Sequence, residues 1–350
     1  MRTREAGETG KAFAEAVRSF APERPPLVLG HFDADGLASI AILARALERS
    51  GRPAEIRIVG KGETVWSEAM RAELADRRPG GLVVADLGVR ERAVLDGVPT
   101  ILVDHHVPSG APGDALVLSG NGLDPEPTSA LIAYWCAQGL GAADDLLWLA
   151  AMGLIGDMAE AAGFPELAAA QARYGKTALR NAVALVNAPR RTGAADARPA
   201  LALLLACDSP KELLSGARPE TALLHAAKQE VACALDGARR VAPKIRGDVA
   251  LIRFESPCQI HPLIAQQWRG RLRDRIVIAA NSGYRAGWVH FAARSAGGQD
   301  LIAFLDAHRP AGADGQYGNG HRQATGGALP IPVWNAFVTE LGFPEEQLTR

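Results

Sequence analysis

Nowhere in its 350 residues does the sequence carry an apolar run near the roughly 18 residues that a membrane span needs; stretches such as Leu146 to Gly156 stop well short. The first 20 residues interleave Arg, Glu and Lys with small residues and have no apolar h-region, so export is not expected and a cytoplasmic protein is. Only 4 cysteines are present, Cys136, Cys207, Cys233 and Cys258, with no C-x-x-C pair. That spacing argues against a structural zinc site and a disulfide framework, and leaves buried free thiols as the expectation. Charge of one sign is missing too: Lys+Arg 38 against Asp+Glu 39 gives a net charge of -1. With no basic tail or Arg-rich run to follow a long polyanion, any phosphate site has to be local. Arginine outnumbers lysine 32 to 6, but in this Ala- and Gly-rich background codon bias explains the ratio. There is no internal repeat and no low-complexity tract, and 48% hydrophobic residues exclude a disordered chain.

What is present is an alternation of short apolar runs and amphipathic stretches from Pro26 onward, the pattern of βα units around a largely parallel sheet. Strands are expected at Leu27–Leu29, Ala54–Val59, Leu82–Val84 and Ile101–Val103, and helices at Leu37–Arg49 and Trp66–Ala75. A Gly-, Pro- and Asp-rich loop, Pro108–Pro127, precedes two packed helices at Thr128–Gln138 and Ala143–Leu154. Residues 188–200 read as a surface connection, followed by helices at Ala200–Ala206 and Glu220–Val241. A second α/β unit follows, with strands at Val249–Phe254, Arg275–Ala280 and Trp288–Ala293, a helix at Pro262–Arg271, a glycine-rich loop from Tyr317 to Gly327 and a short helix from Pro332. The expected organisation is an N-terminal parallel-sheet domain over residues 20–188, a helical linker over 189–244, and a smaller C-terminal α/β domain over 245–345.

The chemistry-bearing residues sit where the apolar runs stop. Leu27–Gly30 runs into His31-Phe32-Asp33-Ala34-Asp35-Gly36, Leu82–Ala85 into Asp86, and Ile101–Val103 into Asp104-His105-His106. In open parallel sheets ligands bind outside the carboxyl ends of the strands, so these residues should converge. The i, i+2, i+4 spacing of His31, Asp33 and Asp35 would put all three on one side of an extended segment. Clustered carboxylates raise one another's pKa unless a cation sits among them. Mixed carboxylate and imidazole donors suit Mn²⁺ or another first-row divalent ion, and there are donors enough for two ions about 3.5–4 Å apart, the clamp of phosphoryl hydrolysis. Asp157, at the end of the Leu146–Gly156 stretch, is a further candidate. Taken singly, Asp35-Gly36 reads as a turn and Asp86 as a helix N-cap; three successive strand ends carry more weight.

These segments, with Gly156-Asp157, resemble the four ordered motifs of the DHH phosphoesterase superfamily, and Gly318–Gly327 resembles the GGGH region of the associated DHHA1 domain. The resemblance spans residues from about 25 to 340 and is nearest to the RecJ-like and oligoribonuclease branch of Mn²⁺-dependent nucleases and phosphodiesterases, two lobes around a cleft. It implies that His31 and Asp33 bind one metal, that Asp35, His105 and Asp157 bind the other, and that Asp86 bridges them. It also implies that His106 faces the scissile phosphate and that Asp104 orients the histidines. The sequence departs from the family at Asn319, where a central glycine is usual.

Glycines 318, 320, 326 and 327 let a backbone approach a ligand, and His321 and Arg322 add phosphate donors, with Arg294 joining them unless it is a salt-bridged surface residue. Val59–Thr64 lacks P-loop spacing and reads as a βα turn. Trp66, Trp135, Trp148 and Trp334 read as core, while Trp268 and Trp288 could stack a base. The expectation is a Mn²⁺-dependent enzyme, with two ions for which Mg²⁺ or Co²⁺ can substitute, that hydrolyses phosphodiester bonds of short single-stranded oligonucleotides or dinucleotides, exonuclease-type. The alternatives are a bisphosphonucleotide phosphatase and a non-catalytic nucleic-acid scaffold. No membrane partner is expected, and a homodimer is left open.

Overall fold

The computed structural model describes residues 6–314 and 317–349, and for Asn319, Gly320 and His321 the backbone alone. The chain divides into two compact units, residues 1–190 with 195–226, and residues 191–194 with 227–350.

In chain order, unit 1 runs α1 (Ala6–Val17), β1 (Leu27–His31), α2 (Ala34–Arg49), β2 (Glu55–Val59), α3 (Glu68–Arg77), β3 (Leu82–Ala85), β4 (Thr100–Asp104), β5 (Ala115–Ser119), α4 (Ser129–Leu140), α5 (Leu147–Gly156), α6 (Pro165–Tyr174), α7 (Lys176–Val186), α8 (Arg198–Ala206) and α9 (Pro210–Leu214), and α10 (Pro219–Ala238) begins in it. Its five strands are all parallel, in the order β2-β1-β3-β4-β5. Both faces of the inner strands β1, β3 and β4 are covered, which is why these read as short apolar runs. Val28, Val83, Ile101 and Val103 face one core with α2, α4 and α5, while Leu27, Leu29, Leu82, Val84 and Leu102 face the other with Met70 and Leu74 of α3. The period-2 alternation of side chains thus feeds two cores from one run.

Three expectations need correction. The loop at 108–127 contains β5, an edge strand whose residues are mostly half-buried, so its apolar signal is diluted by the turns around it. Part of the helical linker expected over residues 189–244, namely 195–226, packs in unit 1, where Leu203, Leu204, Leu213 and Leu224 are fully buried. Cys136, Cys207 and Cys258 are buried free thiols, but Cys233 is exposed.

Unit 2 holds the rest of α10, then β6 (Lys244–Arg246), β7 (Val249–Phe254), α11 (His261–Arg269), β8 (Ile276–Arg285), β9 (Trp288–Ser295), α12 (Leu301–Ala307), β10 (Tyr317–His321), β11 (Ala324–Pro330) and α13 (Ile331–Glu340). The sheet is mixed, in the order β10-β11-β9-β8-β7-β6, with only β7 and β8 parallel. Val289, Phe291 and Ala293 face α12 and α13, and Ala292 faces Ile264 and Ala265 of α11. The glycine-rich segment is therefore a hairpin, β10–β11, and not a loop. Gly318 takes φ 82° at its bulge, and a Cβ on Gly326 would lie 2.4 Å from the Phe291 carbonyl oxygen of β9.

Candidate metal centre

Strand β1 ends at His31, and the chain then turns directly into α2. Asp33 is the N-cap, its Oδ1 accepting from Gly36 N at 3.1 Å, and Asp35 lies in the first helical turn. The extended-segment expectation for this triplet is thus wrong, as is the turn reading of Asp35-Gly36. Gly36 is required because a Cβ there would fall 2.4 Å from the His31 carbonyl oxygen, where helix and strand touch. Asp35 is 0% exposed. Its Oδ2 and Oδ1 accept from Ser129 N and Ala130 N, each at 2.9 Å, at the amide-rich start of α4.

Asp86, just past β3, adopts φ 62°, a left-handed backbone rare outside glycine, held by its N–H donating to Val103 O at 3.0 Å. Its Oδ2 lies 3.6 Å from His31 Nδ1, which is 3.1 Å from Asp33 Oδ2. Its Oδ1 lies 3.6 Å from His105 Nε2 and 3.9 Å from His106 Nδ1, and accepts from Ser129 Oγ at 3.0 Å. His105 Nε2 is also 3.1 Å from Asp157 Oδ2 and 3.9 Å from Asp35 Oδ2. Asp104, ending β4, accepts from Gly88 N and His106 N, both at 2.7 Å, and its Oδ1 is 3.1 Å from His106 Nδ1. The acid at 104 therefore fixes His106 rather than His105.

Three sets of donors lie close enough to hold a cation: His31/Asp33/Asp86, Asp86/His105/His106, and Asp35/His105/Asp157. A direct geometric test favours an ion. His105 Nε2 is buried and makes no well-directed hydrogen bond, although Asp157 Oδ2 lies 3.1 Å away, which leaves a nitrogen donor free for an ion. The protonation energetics agree. Burial, then the charges of Asp86 and Asp157, raise the pKa of Asp35 well above the usual carboxylate range, and burial lifts Asp86 to about 6. Burial opposes the charged form of His31 and His105, but the surrounding carboxylates outweigh it and push each to about 10. Asp33 is held low because His31, Arg190 and the Gly36 N–H outweigh its burial. The cluster thus binds protons for want of positive charge, the role a divalent cation fills.

No protein-family profile and no curated protein matches the sequence. Solved structures do. RecJ from Thermus thermophilus in complex with Mn²⁺ superposes with TM-score 0.70 at 20% identity, over 97% of this chain and 54% of that one. The chain has the DHH/DHHA1 fold. The DHH domain of a member of the s1p family of ribosomal proteins superposes on this DHH/DHHA1 fold with TM-score 0.64 at 15% identity, covering 96% of this chain and 89% of that one. A pGpG-specific phosphodiesterase, PggH from Vibrio cholerae, gives TM-score 0.50 at 13% identity, covering 92% and 98%. The chain spans about half the length of the RecJ chain.

Within the DHH/DHHA1 fold the eight expected residues of unit 1 meet at one place, and sequence reasoning missed three that serve them. Ser129 binds Asp86 and Asp35, Gly153 of α5 leaves room for Asp35, and Arg190 puts Nη1 3.7 Å from Asp33 Oδ2 with a buried, unbonded Nε. The Thr-Ser pair opening an apolar helix was a readable N-terminal signal; nothing local marked Gly153 or Arg190. In unit 2, Ala324 of β11 is paired with Arg294 on one side and His321 on the other, which aligns those positions in one row. The His321 side chain lies outside the described residues, and of Gly320 only the strand pairing is described. Arg294 makes no salt bridge among the described residues; its Nη1 donates to the carbonyls of Ala293 and Thr325. Arg322 is exposed, with Nε 3.3 Å from Asp300. Arg271 and Arg285 place their guanidinium groups over the rings of Trp268 and Trp288, at 5.1 and 4.3 Å from the ring centroids, which leaves the opposite face of each ring to be tested for base stacking.

Proposed function

We propose that this chain is a divalent-metal phosphoesterase that cleaves phosphodiester bonds in dinucleotides or short single strands. One observation carries the reading: the two oxygens of Asp86 face two different donor sets, Oδ2 toward His31 and Asp33 and Oδ1 toward His105 and His106, so one carboxylate could serve both sets. His31 and Asp33 would hold one ion and Asp35, His105 and Asp157 the other, with Mn²⁺ the preferred ion and Mg²⁺ or Co²⁺ its substitutes. Bound there, two divalent ions supply Lewis acidity toward phosphoryl oxygens and lower the pKa of water. His106, held by Asp104 and half-exposed, presents its imidazole to the scissile phosphate and donates to the charge that develops. Arg190 adds a fixed positive charge beside Asp33 and a donor for a phosphoryl oxygen. In unit 2, Arg294, Gly318, Gly320, His321 and Arg322 bind substrate phosphate. The likeness to a RecJ and to a pGpG-specific phosphodiesterase supports the substrate class. No helix among the described residues is long and apolar enough to cross a membrane, and four free thiols fit a reducing, cytoplasmic setting.

The test is incubation of purified protein with Mn²⁺, Mg²⁺ or Co²⁺ and end-labelled oligonucleotides, dinucleotides and bisphosphonucleotides, with light scattering to settle whether it is a homodimer. Faster turnover of dinucleotides than of long strands supports the reading. Release of inorganic phosphate from bisphosphonucleotides alone would make it a phosphatase, and binding without turnover a scaffold.

A further inference from the structure

Four large hydrophobic side chains are exposed among the described residues, and the two most exposed, Met158 at 87% and Val107 at 82%, each directly follow a proposed metal-site residue. Val107 comes after His106 and Met158 after Asp157, and the two segments meet where His105 Nε2 is 3.1 Å from Asp157 Oδ2. With about 3.8 Å between consecutive Cα atoms, both side chains start within two chain steps of that contact. Met158 also sits at φ 61°, a left-handed backbone that disfavours any residue other than glycine, asparagine or aspartate. Neither exposure nor this backbone helps a methionine fold, and such departures concentrate at functional sites.

Resting on the phosphoesterase reading, we propose that Val107 and Met158 form an apolar rim that holds one of the two nucleobases flanking the scissile phosphate. The charged donors beneath the rim engage cation and phosphate, and give a base nothing but carboxylate and imidazole. A phosphodiester's nucleosides must therefore leave the cluster across its edge, and Val107 and Met158 are the exposed apolar side chains that adjoin it along the chain. A thioether packs well on an aromatic ring, and a branched aliphatic chain covers a flat face. Neither can hydrogen-bond a base edge, so the rim holds a base without reading its identity. It gains affinity from one nucleoside, which suits short substrates.

The isosteric double variant Val107→Thr with Met158→Gln alters only exposed side chains, so folding is not at risk. In saturating Mn²⁺ its KM for a dinucleotide rises about tenfold, toward the low end of what one base contact contributes, while kcat stays within about twofold and Mn²⁺ affinity by calorimetry is unchanged. For a dinucleotide abasic at the rim nucleoside the wild type already shows the raised KM, and the variant adds nothing. An unchanged KM on the intact dinucleotide, or an equal rise on both substrates, would overturn the rim while leaving the phosphoesterase standing. Absence of wild-type turnover on either substrate would remove both. A dimer lost in the variant without a KM effect would give the rim to a second copy of the chain and end the nucleobase assignment.

Discussion

His105 in unit 1 is largely buried and His261 in unit 2 more fully so, yet their surroundings drive them in opposite directions. His105 sits at the carboxyl end of a parallel sheet, among Asp35, Asp86 and Asp157, which outweigh its burial and push its pKa to about 10. His261 opens α11 against a mixed sheet, with no carboxylate beside it; burial, then the positive or imidazole character of His290, Arg191 and Arg294, drives it down to about 3. The cause is topological. When strands run parallel, every βα junction opens at the same edge, so acids that follow different strands gather there. In the mixed sheet the strand ends are split between two edges, and polar side chains such as His290 and Arg294 alternate on a face instead.

The largest expected effect lies at the shared carboxylate. Asp86→Asn keeps a residue that tolerates the left-handed backbone, and should lower metal-dependent turnover by about 10³-fold or more, beyond the loss of a single transition-state donor, with the fold retained by circular dichroism. Turnover near wild type would place the bridge elsewhere. Next comes Gly153→Ala, whose Cβ would fall 2.1 Å from Asp35 Oδ1. Displacing that carboxylate should weaken Mn²⁺ binding by about 10²-fold in calorimetry, the upper range for groups that position ligands.

The histidine contrast itself can be tested by pH. His261 is neutral in the folded protein and titrates near 6.5 when unfolded, so its contribution is unaffected above that pH and stability is lost as pH falls below it. At pH 5 the loss is about 2 kcal/mol. His261→Gln should therefore show a smaller drop in urea stability between pH 7.5 and pH 5 than the wild type; equal drops would mean the imidazole is not held neutral. His31 and His105 carry the reverse sign. In metal-free protein their contribution is complete below about 6.5 and is lost as pH rises through about 10. The smallest effect is expected of Ser129→Ala, which leaves Asp86 without its hydroxyl donor and should weaken Mn²⁺ binding about tenfold, with Ser129→Thr restoring it.

Sequence reading reached Asp33, Asp35, Asp86 and Asp104 because they come at the abrupt end of a doubly buried strand, and Asp157 because it ends the apolar helix α5, changes visible within five residues. Ser129, Gly153 and Arg190 stayed hidden because each acts on a residue far away in sequence; Ser129 is 94 positions from Asp35 and 43 from Asp86. Strand β5 was lost in its flanking turn residues. The β10–β11 hairpin was taken for a loop because its glycines signal close approach, and at Gly326 the thing approached is the neighbouring strand.

The seating of Asp35 on the first amides of α4 also bears on how unit 1 is assembled. A nascent chain that has finished β1 and α2 carries a carboxylate destined for burial but no donors to receive it until residues 129 and 130 arrive. Such a contact closes a long loop and forms late when folding begins from local structure. Capture of a divalent ion during refolding would then report the closing of the whole parallel sheet.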